Sequence, residues 1–261
     1  MIEMRMDGRC ALIAGGSKGI GLAAAKNFVA AGANVAIIAR RADVLEEARA
    51  EIAREGKGKI VTISADVTKA KDCTRAFETA ERELGQVDVL LNNTGSHAAR
   101  PFPETSDEQW YADIDIKLMS AIRLSRAVWP GMKARKWGRI INTLSSGAKW
   151  PRTGSAPSSV TRAAGMALTK VMANDGAADN ILVNAVIVGL IQTDQWVRAH
   201  AVENKGRTYE DYLEEMGQRI PLKRVGTSEE FANMMLFLAS DAGSYVTGTA
   251  INVDGGFCPV V

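Results

Sequence analysis

The 261-residue chain is long enough to bury a large core, and 46% hydrophobic with 24% charged residues excludes a disordered or low-complexity protein. Its 32 basic side chains nearly balance 30 acidic ones, and a formal charge of +2 is too small to argue for a nucleic-acid partner. Three cysteines, Cys10, Cys73 and Cys258, have neither metal-ligand spacing nor the even count of a disulfide framework, so free thiols and no metal site are expected.

In chain order, short β-branched runs at 10–14, 34–38, 59–63, 87–91, 139–143, 182–186 and 250–253 predict strands. Helical patterns fall near 19–31, 42–55, 69–84, 107–134, 158–176 and 227–239. Most strands are apolar almost throughout, as parallel strands covered on both faces must be. The alternation predicts right-handed crossovers and an α/β fold, a Rossmann-like doubly wound parallel sheet in a single domain over 1–261. Residues 192–220, polar and aromatic, interrupt the pattern after the sixth strand, where ligands bind and lids form. This stretch is expected to be a lid-like segment over a small-molecule substrate. The first residues carry no apolar signal-peptide core, and the longest apolar stretch, 181–191, is broken by Asn184 and far shorter than the roughly 20 residues of a membrane span. A cytoplasmic protein with no membrane partner is expected.

The first motif is Ala14-Gly15-Gly16-Ser17-Lys18-Gly19-Ile20-Gly21, which follows the first strand and opens a helix. Glycines there let the backbone turn tightly and approach a pyrophosphate, whose charge the helix N-terminus stabilises. Further motifs occur in order. Asp66-Val67 follows the third strand, Asn92-Asn93-Thr94-Gly95 the fourth, and Gly138-Arg139-Ile140-Ile141-Asn142 leads into Ser145. Val183-Asn184-Ala185 leads towards Gly189, Ile191 and Thr193, and Asn252-Val253-Asp254-Gly255-Gly256 closes the chain. Together these resemble the short-chain dehydrogenase/reductase family over almost the whole length.

The resemblance implies a nicotinamide-dependent oxidoreductase acting on a carbonyl or alcohol. Its cofactor-binding residues would be Gly15, Ser17, Lys18, Gly19, Ile20, Gly21, Arg40, Asp66, Val67, Asn93, Thr94, Gly95, Arg162, Gly189, Ile191 and Thr193. An acid ending the second strand would accept the ribose 2′-hydroxyl of NAD and repel a 2′-phosphate. Here that strand runs into Arg40 and Arg41 without an acid, so NADP is expected, with NADPH preferred over NADH. Two small-residue positions look exchanged relative to the family, Ala14 for Thr and Thr94 for Ala. Thr94 is therefore expected to tie its loop to the first glycine loop, with simple drift as the alternative.

The family's catalytic Ser, Tyr, Lys and Asn set survives only as Ser145, with the neighbouring Ser146 as a second possibility for that position. Ser158 stands in the tyrosine position, Arg162 in the lysine position and Lys117 in the asparagine position. Ser158 and Arg162, four apart on a helix, share one face. A serine hydroxyl is a weak acid that needs a partner, and Arg162 stays protonated and cannot relay protons. Lys117 is one candidate for the missing proton donor, the alternative being a lysine turned to solvent. His97, just past the Asn-Asn-Thr-Gly loop, is another. The lid aromatics Trp196, Tyr209 and Tyr212, with His200, are expected to be pocket walls or interface residues. A family member that keeps nucleotide binding but is catalytically silent or non-redox is the competing reading. By resemblance a homotetramer is expected, packed through helices 107–134 and 158–176, with the small residues Ala163, Ala164, Gly165, Ala177 and Ala178 allowing close approach.

Overall fold

The computed structural model describes residues 4–203 and 206–261, so Asn204 and Lys205 of the expected lid segment, and residues 1–3 of the N-terminal stretch, lie outside the described residues. Among the described residues, β1 (Cys10–Ala14), β2 (Asn34–Ala39), β3 (Ile60–Ser64), β4 (Val89–Asn92), β5 (Gly138–Ser145), β6 (Ile181–Val188) and β7 (Ala250–Val253) form one sheet. Its order is β3-β2-β1-β4-β5-β6-β7 and every pairing is parallel. The chain order reverses between β1 and β4, which opens a crevice at the strands' carboxyl ends.

The side-chain period of two divides each strand between two apolar layers. Ala11 and Ile13 of β1 point to one layer and Leu12 and Ala14 to the other, all of them buried. The first layer packs against α1 (Gly19–Ala30), α2 (Ala42–Ile52) and α9 (Ser228–Ala239), through residues such as Phe28, Leu45 and Phe231. The second packs against α3 (Ala70–Leu84), α5 (Ser120–Arg135) and α6 (Ser158–Gly176), through Cys73, Leu124 and Met172. Cys10, Cys73 and Cys258 are buried thiols. Among the described residues, no helix is long and apolar enough to cross a membrane, and no His, Cys, Asp and Glu group could hold a metal.

Two segments depart from the sequence expectation. The helix expected over 107–134 is α4 (Asp107–Ile114), a π-helical turn over Asp115–Met119, and then α5. In a regular helix the Ser120 N–H would bond to the Ile116 carbonyl. That carbonyl is instead occupied by two hydroxyls, Ser120 Oγ at 2.7 Å and Thr94 Oγ at 2.9 Å, and the Ser120 N–H moves on to the Asp115 carbonyl. The π turn thus has an identifiable cause, and π turns recur at functional sites. Residues 192–220, where no helix was expected, hold α7 (Asp194–Glu203) and α8 (Tyr209–Gly217). Their aromatic rings pack on one another, His200 lying 5.5 Å from both Tyr209 and Tyr212 and Trp196 lying 5.9 Å from Tyr212.

Gly165 also has a job inside the chain. A Cβ there would lie 2.8 Å from Leu144 Cδ2, so its small size lets α6 sit down on β5.

Candidate active site

The glycine loop closes on β1 and β4. Gly15 adopts φ +77°, and a Cβ on it would lie 2.6 Å from the Asn93 carbonyl oxygen; one on Gly21 would collide with the Gly15 carbonyl. Only glycine fits at either position. The loop is tied to the fourth strand by Asn93, whose N–H bonds to the Ala14 carbonyl at 3.1 Å and whose Nδ2 donates to the Gly15 carbonyl at 3.3 Å. Thr94 does not make that tie. Its hydroxyl serves the π turn instead, because the loop directs it towards α5 rather than back to β1.

The N-terminus of α1 has no side-chain cap and no acidic residue in its first turn, so its N–H groups and the helix dipole favour an anion. Ser17, Lys18, Gly19 and Ile20 form this corner, and the side chain of Thr193, just before α7, would touch a Cβ at Gly19 at 3.4 Å. Gly189 and Ile191 lie on the approach from β6, where Ile191 bridges to Gly226. Arg40 follows β2, exposed, with no side-chain hydrogen bond among the described residues, though its charge reaches Asp66; its carbonyl accepts the Ser64 hydroxyl at 3.0 Å. Asp66, next to buried Val67, accepts the Thr68 hydroxyl at 2.8 Å and N–H at 3.1 Å, bonds that hold its carboxyl below the usual carboxylate range. A glycine loop that lets backbone come close, an uncapped helix and an exposed cation beyond β2 together fit a dinucleotide with an extra phosphate.

Beyond this cradle, α4, the π turn and α6 converge. Lys117 Nζ is paired with the Asp113 carboxylate and donates to Ser158 Oγ at 2.7 Å. The Lys117 and Asp113 side chains are only 1% and 3% exposed, so Lys117 does not turn to solvent. Burial pushes the Lys117 ammonium below its ordinary value, the Asp113 bond holds it up, and the charge of Arg162 pushes it down again. Asp113 Oδ2 is buried without a hydrogen-bond partner among the described residues. The residue was not singled out from sequence, although its place four before Lys117 on a helix was a legible signal.

Arg162 reaches from the next turn of α6. Its Nη1 donates to the Thr143 carbonyl at 2.5 Å and its Nη2 to that of Thr94 at 3.5 Å. Burial pushes its guanidinium down to about 10, which leaves it charged at neutral pH. Gly95 separates the two cations: a Cβ there would lie 2.7 Å from Arg162 Nη2 and 3.0 Å from Lys117 Cγ.

Ser145 ends β5 on the same side. It is partly exposed, whereas Ser146 is buried, and the turn that follows packs on the first residues of α6. His97 makes no hydrogen bond among the described residues. Burial and the charges of Lys117 and Arg152 push its imidazole below its ordinary value, so at neutral pH it is not protonated. The structure therefore brings Lys117, Ser158 and Arg162 together, with His97 in the field of the same cations.

A parallel sheet with an anion-binding glycine loop at its switch point, facing a cluster of polar side chains on the next two helices, defines a dinucleotide-dependent enzyme fold. Comparison with known proteins narrows it. The family model described as enoyl-(acyl carrier protein) reductase matches residues 14–258. The acetoacetyl-CoA reductase of Shinella zoogloeoides is 34% identical over 249 residues, covering 95% of this chain and 98% of that one. The L-sorbose reductase of Gluconobacter frateurii, solved with NADPH and L-sorbose, is 33% identical, with a TM-score of 0.95 and all of both chains covered. A short-chain oxidoreductase of Pseudomonas aeruginosa PAO1, solved with NADPH and described as containing an atypical catalytic center, is 32% identical with a TM-score of 0.90, covering 97% of this chain and 98% of that one. The chain belongs to the short-chain dehydrogenase/reductase family.

Proposed function

We propose that this chain is an NADP(H)-dependent oxidoreductase that interconverts a carbonyl and an alcohol, with Ser158 and Lys117 replacing the usual proton donor. The observation that carries this reading is the 2.7 Å contact between Lys117 Nζ and Ser158 Oγ inside a buried ion pair. The glycine loop, Asp66, Val67, Asn93, Gly95, Arg162, Gly189, Ile191 and Thr193 would hold the cofactor, and Arg40 would take the 2′-phosphate, favouring NADPH over NADH. When bound, NADPH supplies the hydride. As the carbonyl carbon accepts it, the oxygen gathers the displaced electron pair, and Ser145 and Arg162 stabilise that charge. Ser158 gives its proton to this oxygen and recovers one from the Lys117 ammonium, which Asp113 keeps charged. Two groups in contact let a weakly acidic hydroxyl serve where a phenol would otherwise stand.

The lid segment 192–220 would cover the substrate. A homotetramer packed through α6, whose Val171 is 56% exposed, completes this reading. Light scattering at micromolar concentration tests the assembly, and a monomer would contradict it. For the activity, the purified protein is titrated with NADPH and NADH and then supplied with a panel of aldehydes and ketones. NADPH binding with turnover supports the proposal; binding without turnover supports the silent or non-redox alternative.

A further inference from the structure

The charges around the site are lopsided in a way that the whole chain is not. Across the chain, 32 basic side chains face 30 acidic ones. Residues 94–103 and 145–162, which form the mouth of the site, hold His97, Arg100, Lys149, Arg152 and Arg162 and no Asp or Glu. The two stretches are joined where Arg100 N–H bonds to the Ala156 carbonyl at 2.8 Å. Lys149 turns away to the Ala250 carbonyl. Arg100, Arg152 and Arg162 remain beside a neutral His97, with Lys117 behind them, and Asp113 is the carboxylate paired within the cluster. Arg162 bonds only to carbonyl oxygens, and neither it nor Arg152 has a carboxylate partner among the described residues. Arg152 is exposed and Arg162, partly buried, feels the charge of Asp113, so what the mouth offers an entering molecule is an excess of positive charge, which draws an anion.

Beside this cluster lies a cavity of about 360 Å³ lined by Pro101, Phe102, Pro103, Pro151 and Val160, in which Arg152 is the charged residue. The Arg152 guanidinium is braced over the rings of Trp150 at 4.9 Å and Phe257 at 5.3 Å. Ser159, the residue after Ser158 on α6, also lines the cavity, and the charge of Arg152 reaches His97 beside Lys117. A braced guanidinium at the edge of an apolar hollow suits a carboxylate joined to an apolar body.

We propose that the substrate is an oxo acid, its carboxylate received by Arg152 in the field of Lys117 and Arg162, its apolar body lying in the cavity. This rests on the carbonyl-reducing reading of the site. The test uses the NADP-loaded protein with short, medium-chain and aryl 2- and 3-oxo acids, their methyl esters, and L-sorbose. Binding is followed by calorimetry and turnover by NADPH absorbance. At least one acid should bind about tenfold or more tighter than its own ester, the lower end of what one charge-assisted hydrogen bond supplies. Arg152→Gln should bring acid and ester to within about twofold of each other. Esters or L-sorbose bound as well as every acid, or an acid preference that survives Arg152→Gln, overturns the proposal. The two readings fail separately. Reduction of esters and sorbose without acid preference leaves the oxidoreductase standing and removes the oxo acid. Arg152-dependent binding of acids without NADPH consumption does the reverse.

Discussion

Lys117 and Ser158 lie 41 residues apart in the chain, yet the ammonium of one and the hydroxyl of the other meet at 2.7 Å. Neither residue suffices alone. Serine is too weak an acid to donate unaided, and a buried lysine without a carboxylate would lose its proton. Asp113 and the π turn bring them into one unit. In the proposed mechanism the two residues, at the family's asparagine and tyrosine positions, act as a single proton-handling pair.

The pH dependence follows from the groups facing Lys117, which are Asp113, Arg162 and His97. Carbonyl reduction needs the ammonium form, so the rate should fall as pH rises through the Lys117 pKa. That limb should lie below the ordinary lysine value of ~10.4, because burial and Arg162 push the ammonium down more than Asp113 holds it up. Asp113→Asn removes the upward influence and should move the limb to lower pH. His97→Gln should leave it in place, since the imidazole is already neutral there. Profiles of kcat in the two variants check this; an unmoved limb in Asp113→Asn would exclude Lys117 as the titrating group.

Thr94 offers a test of the π turn. Thr94→Val deletes the hydroxyl that bonds to the Ile116 carbonyl but keeps the side chain's shape. Urea unfolding should show a loss of about 1 kcal/mol, the worth of one hydrogen bond. The Ser120 N–H should also return towards Ile116, turning Lys117 away from Ser158, so kcat should fall more than stability alone accounts for. Unchanged stability and rate would mean the threonine is incidental.

The proposed function has Arg40 set the choice of nucleotide. Arg40→Asp removes charge-assisted bonds to a 2′-phosphate, each worth on the order of 1.5–3 kcal/mol, and adds repulsion. NADPH binding should weaken by at least about tenfold relative to NADH in a fluorescence titration. Equal weakening of both nucleotides would make Arg40 structural.

The fold was legible because strands covered on both faces must be apolar throughout, and β1 and β7 have the bounds that their sequence runs suggest. The fourth strand begins later than its apolar run, at Val89, because Asp88 turns its carboxylate to the Cys10 N–H and is buried there. The site was legible as positions but not as geometry. No local pattern could show that Thr94 takes a carbonyl from a helix 22 residues on and so turns Lys117 inward. Asp113 was visible as an i,i+4 partner only once Lys117 was known to be buried. Likewise, the acid-free stretches 94–103 and 145–162 are unremarked until the Arg100 and Ala156 bridge brings them to one mouth.

Lys117→Met, which keeps most of the length and removes the charge, tests the central claim most directly. Its NADPH oxidation is measured with the best carbonyl substrate of the panel, beside its NADPH dissociation constant. The proton-relay account predicts a kcat lower by about 10² or more, the usual share of a general acid, with NADPH affinity within about threefold of the parent and no alkaline limb below the one at about 10 that Arg162 sets. An unchanged kcat, or the parent's alkaline limb persisting at the same pH without Lys117, would contradict it.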